Sequence, residues 1–165
     1  MDTLRQSKFA SLAARRSGRW LVALAVGLAG SWLVVSSAHA DAEPGLFVII
    51  VNAHNPVKSA DRAFVADAFL KKTSRWNTGE ALHPGDLRAS AAARRAFSNA
   101  VLQRSVAAVR SYWQQCIFSG RDVPPPELDS DEAMLRFVAK YSGAVGYVSA
   151  TTKLDGSNTK VIVVR

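Results

Sequence analysis

Phe69-Leu-Lys-Lys-Thr-Ser-Arg-Trp-Asn-Thr-Gly-Glu-Ala-Leu-His-Pro-Gly-Asp-Leu-Arg-Ala-Ser90 is the stretch on which the fold turns. It opens at the end of an apolar helical pattern, passes through a Trp76-x-x-Gly79 turn and a Leu82-His-Pro-Gly85 segment, and ends at Arg88 and Ser90. Upstream, Phe64, Val65, Ala68 and Phe69 fall on one side of a helix at i, i+4 spacing. Ser59 is its predicted N-cap and Asp61 lies in its predicted first turn. Before it, Leu46-Phe-Val-Ile-Ile-Val51 is a continuous apolar, β-branched run, the pattern of a strand covered on both faces. Asn52 to Lys58 is a loop in which Pro56 holds Asn55 extended.

Downstream, Ser90 is the predicted cap of a second helix whose buried face is Ala93, Phe97, Ala100 and Val101. Ser105 restarts the pattern, and Val106, Val109, Trp113, Cys116 and Ile117 form an apolar stripe. Pro124-Pro125-Pro126 excludes regular helix and favours extended backbone. Asp129 or Ser130 then caps a fourth helix, with Asp131 and Glu132 in its first turn and Met134, Leu135 and Val138 inward. Gly143 to Ser149 and Lys160 to Arg165 read as strands, with Asp155-Gly156 as a turn before the second. Strand, helices, strand, strand predicts an α/β domain: a small mixed sheet flanked by about four helices.

The first 40 residues read as an address. Arg5, Lys8, Arg15, Arg16 and Arg19 precede an apolar run from Trp20 to Val35, and Ala38-His39-Ala40 is a small-x-small cleavage site. The run is short of the ~20 residues that cross a bilayer, so a cleaved secretory signal is expected, with an uncleaved membrane anchor as the alternative. Arg15-Arg16 raises the twin-arginine route, but Ser17-Gly-Arg-Trp20 fits that motif poorly and favours the general secretory one. The mature chain is then 41–165, one domain long enough to bury its own core. The chain's net charge of +8 falls to +4 in that part, 16 basic residues against 12 acidic, and no basic stripe marks a nucleic-acid binder. Cys116 is the single cysteine, so no internal disulfide forms.

An ordered set of short motifs resembles the periplasmic phosphate-binding-protein-like family, the substrate-binding proteins of ABC transporters. The pieces are Val51-Asn52 with Asn55-Pro56-Val57, Ala68-Phe69-Leu70-Lys71 with Trp76-x-x-Gly79, and Arg94-x-x-Phe97. Tyr112-Trp113 with Ile117-Phe118-Ser119-Gly120, Pro124-Pro125 and Gly143-Ala-Val-Gly-Tyr-Val148 complete the set, which covers roughly Val48 to Ser149. The resemblance implies one lobe of a type 2 periplasmic binding protein, since full-length members are more than twice as long and hold ligand between two lobes. It also implies an oxyanion ligand held by an Arg and a Ser-Gly-Thr loop at a helix start. Here that region reads Arg88-Ala-Ser90-Ala-Ala92, with the Arg and Ser present and the Gly and Thr absent.

Helix starts bind anions because their first amides lack partners and the dipole is positive there. The Ser59 and Ser130 helices carry acids in their predicted first turns, whereas the Ser90 helix begins Ala91-Ala-Ala93 between Arg88 and Arg94. The acid-free Ser105 helix reads as core packing instead. Arg88, Ser90 and Arg94 are therefore the leading oxyanion candidates, an Arg fork matching a tetrahedral anion; the competing reading is an ordinary cap with solvated arginines. Asp86 stands where it could pair with Arg88. Asn52, Asn55 and Ser59 follow as candidates, because ligands of open α/β sheets bind beyond the carboxyl ends of strands. Their competing reading is a turn made by Asn55-Pro56. Trp76, Trp113 and Tyr147 read as packing aromatics, and Cys116 as a buried small hydrophobe.

His54 and His83 lack the neighbours of a metal site, and neither a G-x-S-x-G elbow nor a P-loop occurs, so no metal, cofactor or catalysis is expected. A small hydrolase is the weakest of the readings. The leading expectation is an exported, non-enzymatic domain that recognises phosphate or a similar oxyanion, with a transporter or sensor component or a homodimer as its protein partner. The alternative is a periplasmic interaction module that kept the fold and lost the ligand.

Overall fold

The computed structural model describes residues 46–165. The predicted signal peptide, its cleavage after Ala40 and the membrane-anchor alternative lie outside the described residues. Among those described, no helix is long and apolar enough to cross a membrane.

Strand β1 (Phe47–Asn52) and strand β6 (Ala144–Ser149) form the centre of a four-stranded sheet and run antiparallel, with Ile49 opposite Tyr147. The short β3 (His83–Pro84) joins β6 in parallel, and β7 (Thr159–Val161) joins β1 antiparallel, giving the order β3-β6-β1-β7. The sheet is therefore mixed, and among the described residues four helices accompany it, as the sequence pattern predicts.

The β6 side chains alternate between two faces. Gly146 lies against Met134 and Val138 of helix α4 (Asp131–Lys140), so close that a methyl group there would overlap the Met134 side chain. Tyr147, on the other face, stacks on Phe97 of helix α2 (Ala92–Ala100) at 4.0 Å between ring centres. Phe47 and Phe69 complete that aromatic cluster, Phe69 coming from helix α1 (Arg62–Phe69). Helices on both faces explain why β1 is apolar without alternation.

Helix α3 (Val106–Phe118) packs Val109, Trp113 and Cys116 inward, and Ser105 caps it by accepting from the Ala108 N–H. Ser130 caps α4 in the same way through the Ala133 N–H. Trp76 is buried, and its indole N–H donates to the Gly143 carbonyl at 2.9 Å. Gly79 closes the turn after it at φ +86°, a conformation that favours glycine.

Several expectations are corrected. Ser59 caps no helix: it lies in a two-residue strand β2 (Ser59–Ala60), paired in parallel with β8 (Val163–Val164). That pairing consumes the local backbone, so α1 begins at Arg62, whose N–H bonds to the Arg165 carbonyl, and Asp61 is the cap residue. Ser90 caps no helix either. A turn from Arg88 to Ala91 delays the start, making Ala91 the cap position with no side-chain bond. The stripe on α3 ends sooner than predicted, because Ile117 is half exposed and Phe118 is 89% exposed. The last apolar run divides at buried Ile162, its two halves pairing with different strands.

Candidate functional site

Strand β4 (Asp86–Leu87) lies beside β5 (Glu127–Leu128), with Asp86 opposite Glu127 in parallel register. Extended backbone after the three prolines brings β5 there. Asp86 is buried, and one carboxylate oxygen accepts from the Leu87 N–H at 3.0 Å and from the Tyr147 hydroxyl. The other faces the Arg94 guanidinium in a buried ion pair. Asp86 thus pairs with Arg94 and not with Arg88, which is exposed. The reason is helical geometry: Arg94 shares the inward face of α2 with Phe97 and Ser98, and only that face meets β4.

Burial pulls the Arg94 guanidinium below its ordinary pKa, while the nearby Tyr147 and Glu127 oppose the shift. Burial likewise pushes the Tyr147 hydroxyl up to about 12, so it remains a neutral donor to Asp86 at ordinary pH. Arg94 is only 4% exposed, yet its Nε–H has no hydrogen-bond partner; the Ser98 hydroxyl one turn on is also unpartnered.

This network forms one wall of a cleft of about 170 Å3. Asp86, Ala89 and Arg94 line that wall, and Pro124, Pro125 and Glu127 line another. Helix α3 supplies the third through Val106, Arg110, Trp113, Gln114 and Ile117. Those positions fall at i, i+4, i+7, i+8 and i+11, a second stripe on α3 beside its core stripe. Ile117 belongs to the cleft stripe, which explains its exposure.

Of the six predicted site residues, only Arg94 lines this cleft. Arg88 and Ser90 are exposed on either side of Ala89 at its edge. Asn52 and Asn55 sit at the other end of β1. Asn52 is three positions from Ile49, the partner of Tyr147, or roughly 10 Å along the strand. The Asn52 amide donates to the carbonyls of Val138 and Ala139 and its oxygen accepts from the His54 N–H. The Asn55 oxygen accepts from the Val57 N–H, and its amide reaches the Ser142 carbonyl at 3.5 Å. Both therefore fasten the loop after β1 to the end of α4. Ser59 lies apart, in a second cleft of about 440 Å3 with Asp61, Phe64, Trp76 and Arg165.

Sequence reasoning missed Arg110, Glu127 and the pairing of Asp86. The one available signal was Arg110 at i+4 from Val106 and i−4 from Gln114, off the core stripe. Among the described residues, no three His, Cys, Asp or Glu side chains stand close enough to hold a metal.

No family model matches the chain, and no curated protein matches it. Solved structures do. The chain has the fold of part of a phosphate-type substrate-binding protein. A protein assigned as a phosphate ABC transporter substrate-binding protein from Clostridium perfringens, with bound phosphate, superimposes at a TM-score of 0.55 and 15% identity. The match covers 72% of this chain and 44% of that one. The ABC-type phosphate transport receptor from Vibrio cholerae gives 0.53 and 18%, over 72% and 46% of the two chains. PstS from Borrelia burgdorferi gives 0.55 and 6%, over 73% and 47%. The chain thus spans less than half of each, as one lobe would, and at these identities the likeness is one of fold.

Proposed function

We propose that this chain is an exported, non-enzymatic substrate-binding-like domain that recognises phosphate or a similar oxyanion in the Arg94 cleft. One observation carries the reading: a guanidinium 4% exposed, on the cleft wall, with an Nε–H that no protein group accepts. A buried donor left unpaired is costly, so an oxyanion that entered the cleft and reached this guanidinium would be stabilised there. Arg110 on the facing helix supplies the second cation. Arg88 and Ser90 stand at the edge, where they extend the contact. Asn52 and Asn55 are occupied with backbone, and Ser59 belongs to the other cleft, so none of the three joins this site.

The Clostridium perfringens relative carries phosphate, which agrees with this ligand class. The partner that fits the reading is a membrane transporter or sensor component, reached after export by the N-terminal segment. The test is thermal unfolding of the purified protein with added phosphate. A ligand at 100 times its Kd adds about 2.7 kcal/mol to the folded state. Arg110→Ala, an exposed change, is expected to reduce the shift without lowering the melting point of the free protein. No shift at tens of millimolar with phosphate or with a simple carboxylate refutes the reading.

A second reading, an interaction module, is favoured by the exposure of Ile117 and Phe118 in the last turn of α3 and of Val123 in the loop after it. A second copy of the chain suits this surface. Sedimentation velocity decides: a monomer at all concentrations, unchanged by Phe118→Ser, excludes it.

A further inference from the structure

We propose that the oxyanion in the Arg94 cleft is the head group of a small organic acid with one negative charge and a short apolar body, and not free inorganic phosphate. The proposal rests on the oxyanion reading above and adds the chemical class of the ligand.

Charge comes first. The cleft holds two cations, Arg94 and Arg110, and two carboxylates, Asp86 and Glu127. Arg94 already faces Asp86 in a buried pair. Glu127 lies directly across from Asp86 on the neighbouring strand. A dianion entering here meets no net positive charge to balance it, with the buried Asp86 carboxylate and the exposed Glu127 carboxylate both in the wall. A single negative charge leaves the smaller imbalance, and Arg94 and Arg110 are the two cations it can approach.

The walls come second. Val106, Trp113, Ile117, Pro124 and Pro125 present carbon to the cleft. Inorganic phosphate has oxygen on every side and covers none of that surface productively. An apolar body does, which is the usual division in small-molecule sites: mostly apolar walls and a few placed polar groups. Size agrees, because about 170 Å3 is the share of roughly six water molecules, enough for a head group and a few carbons.

The experiment titrates the purified protein by calorimetry with inorganic phosphate, acetate and butyrate. Butyrate is expected to bind more tightly than acetate by about fourfold per added methylene, about 15-fold in all. Phosphate is expected to bind at least tenfold more weakly than butyrate. Ile117→Ser, a change at a half-exposed position, is expected to shrink the gain from acetate to butyrate several-fold. Phosphate binding as tightly as butyrate, or equal affinities for acetate and butyrate, overturns the organic-acid proposal and leaves the oxyanion reading standing. Failure of all three anions to bind at tens of millimolar overturns both.

Discussion

Replacing Asp86 by Asn isolates the charge at the centre of the buried network. Asn keeps an oxygen where Asp86 accepts from the Leu87 N–H and the Tyr147 hydroxyl, so those two bonds survive. What is lost is the negative charge facing Arg94, in a pair whose side chains are 5% and 6% exposed. Removing one partner of a buried pair costs ~3–5 kcal/mol, because the other charge is left in a low-dielectric setting. In a domain of this size 1 kcal/mol moves the melting point by several degrees, so a fall of roughly 10–20 °C is expected. Urea unfolding followed by circular dichroism measures it, with the midpoint falling at unchanged slope. The double variant Asp86→Asn/Arg94→Gln is expected to be less destabilised than the single change, since no orphan charge remains. An added oxyanion is expected to stabilise Asp86→Asn more than the unsubstituted protein, because it supplies the missing charge. A loss below about 1 kcal/mol refutes the description of Arg94 as a buried cation held by Asp86.

Three further outcomes are expected. The Tyr147 hydroxyl, raised from 10.0 to about 12, binds its proton more tightly in the folded state. Its contribution, about 2–3 kcal/mol, is therefore complete below pH ~10 and lost as pH rises through about 12. Tyr147→Phe is expected to flatten that part of a stability–pH curve measured by urea unfolding, and an unchanged curve contradicts the assignment. Ser105→Ala is expected to cost ~1 kcal/mol through the lost cap, and Ser90→Ala less than about 0.5 kcal/mol; equal costs would contradict the placement of the α2 start. Gly146→Ala is expected to cost ~1–3 kcal/mol by driving a methyl into Met134, and a neutral result in the same assay would show that α4 packs less closely on β6.

Periodicity alone carried the four helices, the two central strands and most of the core. Those signals are local: a helix must bury one stripe and a central strand must be apolar on both faces, so the residues announce their own environment. Caps were legible where they were unopposed. Ser105 and Ser130 cap because nothing else claims their backbone, whereas Ser59 was drawn into a strand by Val163, more than a hundred residues away. The short strands β2, β3, β4 and β5 have two residues each and exist only because a partner lies alongside. No two-residue run can signal a pairing that distant residues complete.

The site divides in the same way. The sequence by itself determined that an arginine lies near an acid-free helix start, and that the fold is a small mixed sheet between helices. Tertiary structure alone decided that Arg94 turns inward to Asp86 and Tyr147, that Asn52 and Asn55 hold backbone, and that a second stripe of α3 closes the cleft. The physical reason is that propensity and periodicity act between neighbours in the chain. Ion pairing, hydrogen-bond satisfaction and the shape of a cavity depend on groups that meet only once the sheet and helices have packed.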